Sequence, residues 1–240
     1  MRRVVRGFWG PRPESAEALA GRWKHTLDQL TALLPEAGSP AGAGLTGPWR
    51  QIHASGPGTE LPADEAALLA ALRLVRTADD WSDVTGTGLR IARGGESGWK
   101  AEVSGLAGGT PEFLLQSLVI ALHAPDDAEV PEAALLAALA RVWEPDFGDV
   151  SDDDVLDALE DDAGFSVGDP VVGRVGYLSP GRAALVPDEL KAVREELPGG
   201  GVLLRIAAPG DTDAVVRAYE RLNGAGALRP LPRPMDRAAL

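Results

Sequence analysis

The chain is 240 residues long, 45% hydrophobic, without cysteine, and carries a formal net charge of −13. That length suits one large domain or two small ones with a real core. The missing cysteines exclude a disulfide framework and thiolate chemistry, and the acidic balance opposes direct binding to nucleic acid or to an anionic membrane, both of which would repel it. No apolar run approaches the roughly 18 residues of a membrane span. The start, Met1-Arg2-Arg3 followed by VVRGFWG and Pro11, is too short and too interrupted for a signal peptide. A soluble cytoplasmic protein is expected.

Val4 to Trp9 reads as an opening strand, stopped by Gly10-Pro11-Arg12-Pro13. Ser15 then caps a helix to about Leu34, with Leu19, Trp23, Leu27, Leu30 and Leu34 recurring at helical spacing and Pro35 ending it. His25 falls opposite that stripe and is expected to be exposed. Residues 36 to 48 are rich in Gly, Ala and Pro and read as a mobile loop. Trp49 to Ala54 reads as a short strand. Pro62 opens a second helix to about Arg76, with Asp64 and Glu65 early and Arg73 and Arg76 late, as the helix dipole prefers. Asp79-Asp80-Trp81-Ser82-Asp83 follows as a turn.

Leu89 and Ile91 alternate with polar neighbours, as do Trp99, Ala101 and Val103, and residues 94 to 98 are a loop between them. That is a hairpin with one buried face. Ser117 to His123 reads as a third strand, although a helix from Thr110 through Leu122, with Pro111 in its first turn, competes for the same residues. Pro131 to Trp143 is an amphipathic helix through Leu135, Leu136, Leu139 and Val142. Val171 to Leu178 and Val202 to Ala207 read as strands, and Asp211 to Asn223 as a helix ended by Gly224. One α+β domain is expected, its sheet mostly antiparallel and flanked by helices, with a core spanning about residues 4 to 232. Residues 229 to 240, rich in Pro and Arg, are expected to be a loose tail.

The chain's charge is concentrated in one stretch. WEPDFGDVSDDDVLDALEDDAGFSVGD, from Trp143 to Asp169, holds eleven acidic residues, and no Lys or Arg occurs between Arg141 and Arg174. SDDDVLDALEDD reads as a helix with Ser151 as N-cap and Asp152, Asp153 and Asp154 in the first turn. At about 100° per residue, Val155, Leu156 and Leu159 share one side while Asp153, Asp157, Glu160 and Asp161 share the other. Such a run is often only a solvated, well-capped face. Capping accounts for the first aspartates but not for Asp157, Glu160, Asp161 and Asp162, so a surface that meets a positively charged partner is expected. Trp143 and Phe147, in the WEPDF turn with Glu144 and Asp146, are candidate aromatic anchors for it, as is Trp81 in DDWSD. These rings could equally pin loops to the core. Trp9, Trp23 and Trp99 lie on apolar faces and are expected to be core.

Motifs for chemistry are sparse. There is no Gly-x-Ser-x-Gly turn, no Walker loop, and no His pair at zinc spacing among His25, His53 and His123. Asp149, Ser151, Asp153, Val155, Asp157 and Glu160 match calcium-loop positions, but Asp154 stands where the loop needs Gly. No catalytic residue, cofactor or metal is expected, and a carboxylate-dependent hydrolase and a calcium-responsive module remain as alternative readings.

The order of features resembles the immunity protein 52 family of bacterial polymorphic toxin systems. The resemblance is carried by Trp9, Arg12-Pro13-Glu14-Ser15, Ala20, Arg22 and Trp23, Trp49, Gly98-Trp99, Val142-Trp143-Glu144-Pro145-Asp146, Val175-Gly176-Tyr177-Leu178-Ser179, and Gly200-Gly201-Val202-Leu203-Leu204. It implies a non-catalytic protein that binds and blocks a cognate toxin, of nuclease type. Such a toxin holds phosphates with Lys and Arg, so a carboxylate face could be steered to the same groove. Asp153, Asp157, Glu160, Asp161 and Asp162, with Trp143 and Phe147, are then the expected contact.

Overall fold

The computed structural model describes residues 1–35, 44–94, 98–166 and 168–240. The expected loop at 36 to 48 and the hairpin tip therefore fall largely outside the described residues.

The first strand, β1 (Arg2–Trp9), lies near the middle of the sheet. It pairs on one side with β6 (Gln116–His123) and on the other with β7 (Phe147–Ser151). Beyond β6 follow β5 (Lys100–Ala107), β4 (Thr87–Gly94), β2 (Arg50–Gln51) and β3 (Thr59–Glu60). Beyond β7 follow β8 (Val175–Leu178), β10 (Val202–Arg205) and β9 (Arg194–Glu196). All the strand pairs in this sheet of ten are antiparallel. The helices are α1 (Ala16–Leu33), α2 (Glu65–Val75), α3 (Glu132–Trp143), α4 (Asp153–Ala163), the single turn α5 (Pro180–Ala183) and α6 (Thr212–Gly224). The expected single α+β domain with an antiparallel sheet is what forms. Residues 116 to 123 are a strand, not the competing helix, because alternate residues Gln116, Leu118, Ile120 and Leu122 are buried.

Helix ends follow local chemistry. Ser15 accepts from the Ala18 amide and Asp64 from the Ala67 amide, each satisfying one orphan donor. The stripe Leu19, Trp23, Leu27, Leu30 and Leu34 is buried throughout, while His25 on the opposite side is exposed.

The two faces of the sheet are covered unequally. One carries α1, α2 and α3, whose leucines and tryptophans meet Val5, Leu89, Val103, Ile120, Val175 and Leu203. The other is covered only at its C-terminal end, where Val155 and Leu159 of α4 and Val215, Tyr219 and Leu222 of α6 pack on Phe147, Leu178 and Leu204. Over β1, β6, β5 and β4 that second face carries no helix among the described residues; Phe8, Ser117, Val119, Ala121 and Leu106 are half-buried and Arg90 is exposed.

Two expectations are corrected. The first half of the acidic block is not a connection between helices. It contains β7, every residue of which is buried. Ser151 is consequently the last residue of that strand rather than a cap, and Asp152 caps α4 by accepting from the Val155 amide. Alternation placed Phe147, Asp149 and Ser151 on one face, a pattern masked by the charge. The C-terminal tail is also not loose. Ala238 accepts from the Gly10 amide, the Met235 amide donates to Glu112 and the Leu240 amide donates to Asp146, with Leu231 and Met235 buried. Proline-rich composition removes periodicity but does not prevent a strap from docking where partners exist.

Candidate partner-binding surface

The surface is built on α4. Asp152 caps it, Asp153 and Asp154 occupy its first turn, and Gly164 closes it in the left-handed conformation at φ 67°. Val155 and Leu159 anchor its inner side. Asp154, Asp157, Glu160, Asp161 and Asp162 are exposed. Among the described residues none of these five forms an ion pair.

The other acids of the block, Asp169 apart, are paired with arginines distant in sequence. Asp149, fully buried, faces Arg6 across the β1–β7 register and accepts from it at 3.0 and 2.8 Å. Ser151 donates to the same carboxylate at 2.6 Å. Burial alone would push the Arg6 guanidinium down, but the charge and hydrogen bonds of Asp149 outweigh it and hold Arg6 above its ordinary value. Asp152 lies 3.0 Å from Arg3 and 2.6 Å from Arg174, and Glu132 closes this network at 3.0 and 2.8 Å from the same two arginines. Arg174 is likewise raised, its carboxylate partners overcoming its burial. Asp153 pairs with Arg2 at 2.7 Å on the surface, an interaction of small net value.

The sequence-derived contact set therefore divides. Asp157, Glu160, Asp161 and Asp162 stand open on α4, with Asp153 beside them but paired. Trp143 is fully buried. Its ring stacks on Trp9 at 5.5 Å, meets Trp23 edge-on at 5.8 Å, and its indole donates to Thr26 at 2.8 Å. Phe147, 2% exposed, stacks on Phe8 at 5.2 Å. Both are core rings, and their proposed role as surface anchors is overturned: the last turn of α3 and the edge of a central strand place them under the sheet's coverings. Asp146 has no exposed surface and pairs with buried Arg182 at 2.7 Å, so it too cannot meet a partner. Glu144 is the C-cap of α3, left-handed at φ 45°, with an exposed side chain 3.3 Å from Arg22. Trp81 is half-buried under the guanidinium of Arg76, 5.5 Å from its ring centre, and its ties run to α2 and the turn at Ala78 rather than to α4.

The exposed apolar residues near α4 are ones the sequence reading passed over. Phe113 and Leu114 are 63% and 56% exposed. They rim a groove of about 330 Å³ whose lining includes Phe8, Leu115, Phe147, Leu156, Phe165 and Glu160. A signal was present: Phe113-Leu114-Leu115 is a run of three consecutive apolar residues ahead of a strand, and alternation cannot bury all of them.

Among the described residues no group of three or more His, Cys, Asp or Glu side chains is placed to share a metal. The positions that matched a calcium loop are split between the buried strand β7 and the helix α4, with Val155 turned inward and Asp149 already engaged by Arg6. Among the described residues no helix is long and apolar enough to cross a membrane.

No protein-family model matches the chain, and no curated protein does. Among solved structures it is similar to the Pseudomonas aeruginosa T6SS protein PA0821, at 16% sequence identity and a TM-score of 0.49, over 95% of this chain and 73% of that one.

Proposed function

We propose that this chain is a non-catalytic immunity protein that binds and neutralises a basic, nuclease-type protein toxin, the activity implied by its resemblance to the immunity protein 52 family. The observation that carries the reading is the unequal use of charge. Arg6 of β1 holds Asp149, Arg3 of β1 and Arg174 hold Asp152, and Arg182 of α5 holds Asp146, yet among the described residues the five exposed carboxylates of α4 form no ion pair. Like charges crowded on one short helix repel one another and cost stability. A cationic partner would relieve that cost, and its approach would be steered by the field. The open, helix-supported surface also suits protein docking better than chemistry, since the fully buried carboxylates Asp146 and Asp149 are already held by Arg182 and Arg6.

Co-expression with the product of an adjacent toxin-like gene, followed by association kinetics at low and high salt, tests the proposal. A complex whose association slows as salt rises supports it. Formation without salt sensitivity keeps toxin binding and removes α4 from the contact. No complex overturns the reading.

A further inference from the structure

Among the described residues, the part of the sheet's second face without a helix leaves a groove with apolar residues at its rim. Phe113 and Leu114 are adjacent and both more than half exposed. Leu156 and Phe165 line the same groove, as do Phe8 and Leu115. The wall formed by α4 is also charged. Glu160, one turn after Leu156, lines the groove, and at about 100° per residue Asp157 follows it toward solvent. Asp169 lines the same cavity. Of the two cations in the lining, Arg6 is engaged twice by Asp149, which leaves Arg233 of the C-terminal strap as one cation against Glu160 and Asp169, with Asp157 beyond them.

An apolar base with an anionic wall is complementary to an apolar side chain carried among basic ones. We infer that the groove between α4 and residues 112–115 takes a short segment of a protein partner in which an aromatic or aliphatic side chain is flanked by Lys or Arg. The apolar side chain enters the groove lined by Phe113 and Leu156, and the cations lie along Glu160 and Asp157. This rests on the reading of the chain as a binder of a basic protein and adds where the apolar anchor sits. A second copy docked through the same face would bring two α4 helices together, which their like charge opposes. The volume, about 330 Å³, is at the small end of ligand pockets and admits side chains rather than a folded element.

The probe is a phage-displayed library of random peptides, selected at low salt on the full chain and depleted on a Phe113→Ser/Leu114→Ser variant. Enriched sequences are expected to set Lys or Arg beside Phe, Trp or Leu. A fluorescent peptide of the enriched sequence should bind the double variant at least about tenfold more weakly. Glu160→Lys, which leaves the apolar lining intact, should also weaken it at low salt, while Leu74→Ser on exposed α2 should not. The inference is overturned if no peptide is enriched over the double variant, if the enriched peptides lack basic residues, or if light scattering shows a dimer that the double variant loses. The toxin experiment reads separately. A toxin complex formed equally well by the double variant overturns the groove and leaves toxin binding standing. Groove-specific peptides without a toxin complex do the reverse.

Discussion

Arg182 and Asp146, both fully buried, are joined by a 2.7 Å ion pair where separate parts of the chain converge. Arg182 also donates to the carbonyls of Ala227 and Arg229, at 2.7 and 2.9 Å, and Asp146 also accepts from Ser179 and the Leu240 amide, each at 3.0 Å. The pair thus ties the start of β7, the turn α5 and the C-terminal strap together. Asp146→Ala leaves an uncompensated buried guanidinium and is expected to cost about 3–5 kcal/mol in urea unfolding. The folded fraction should associate with toxin at the wild-type rate, because Asp146 is enclosed.

Trp143 gives the sharpest separation between core and interface. Trp143→Ala removes a ring packed between Trp9 and Trp23 and the indole bond to Thr26, whose hydroxyl still donates to the Arg22 carbonyl, with an expected loss of about 3–5 kcal/mol. Thermal unfolding checks this. An interface anchor would instead weaken toxin binding with stability unchanged.

The opposite pattern is expected on α4. Asp157→Lys/Glu160→Lys/Asp161→Lys should change stability by no more than about 0.5 kcal/mol per site, as exposed substitutions do. Association with a basic toxin should slow at least about tenfold at low salt and converge with wild type as salt rises. Stopped-flow mixing across a salt series decides it.

Tyr177 predicts an alkaline weakness. Burial, reinforced by the charges of Glu144 and Asp146, pushes its hydroxyl up to about 12. In the unfolded chain it titrates near 10. Folding therefore favours the neutral form: the contribution is fully present below pH of about 10 and is lost as pH rises toward about 12, by at most about 3 kcal/mol. Tyr177→Phe should match wild type near neutral pH and lose less stability between those limits, as measured by urea unfolding at stepped pH.

Local patterning by itself determined most of the elements. The apolar stripe of α1, the alternation in β4 and β5, and the cap at Ser15 are signals between residues a few positions apart, and the α+β class follows from them. The open carboxylates Asp157, Glu160, Asp161 and Asp162 were legible for the same reason, since a helical wheel needs only spacing. Tertiary structure alone decided what the remaining charges and rings do. The gap in cations between Arg141 and Arg174 looked like a segment without counterions, yet Arg6 lies directly opposite Asp149 and Arg3 reaches Asp152, because β1 pairs with a strand that begins well over a hundred residues later. Trp143 and Phe147 sit among acids in sequence and in the core in space, and Phe113 and Leu114 are open because no helix covers their part of the sheet. Neutralisation and burial are set by which surfaces meet, and pairing between distant strands is information that no short window of residues carries.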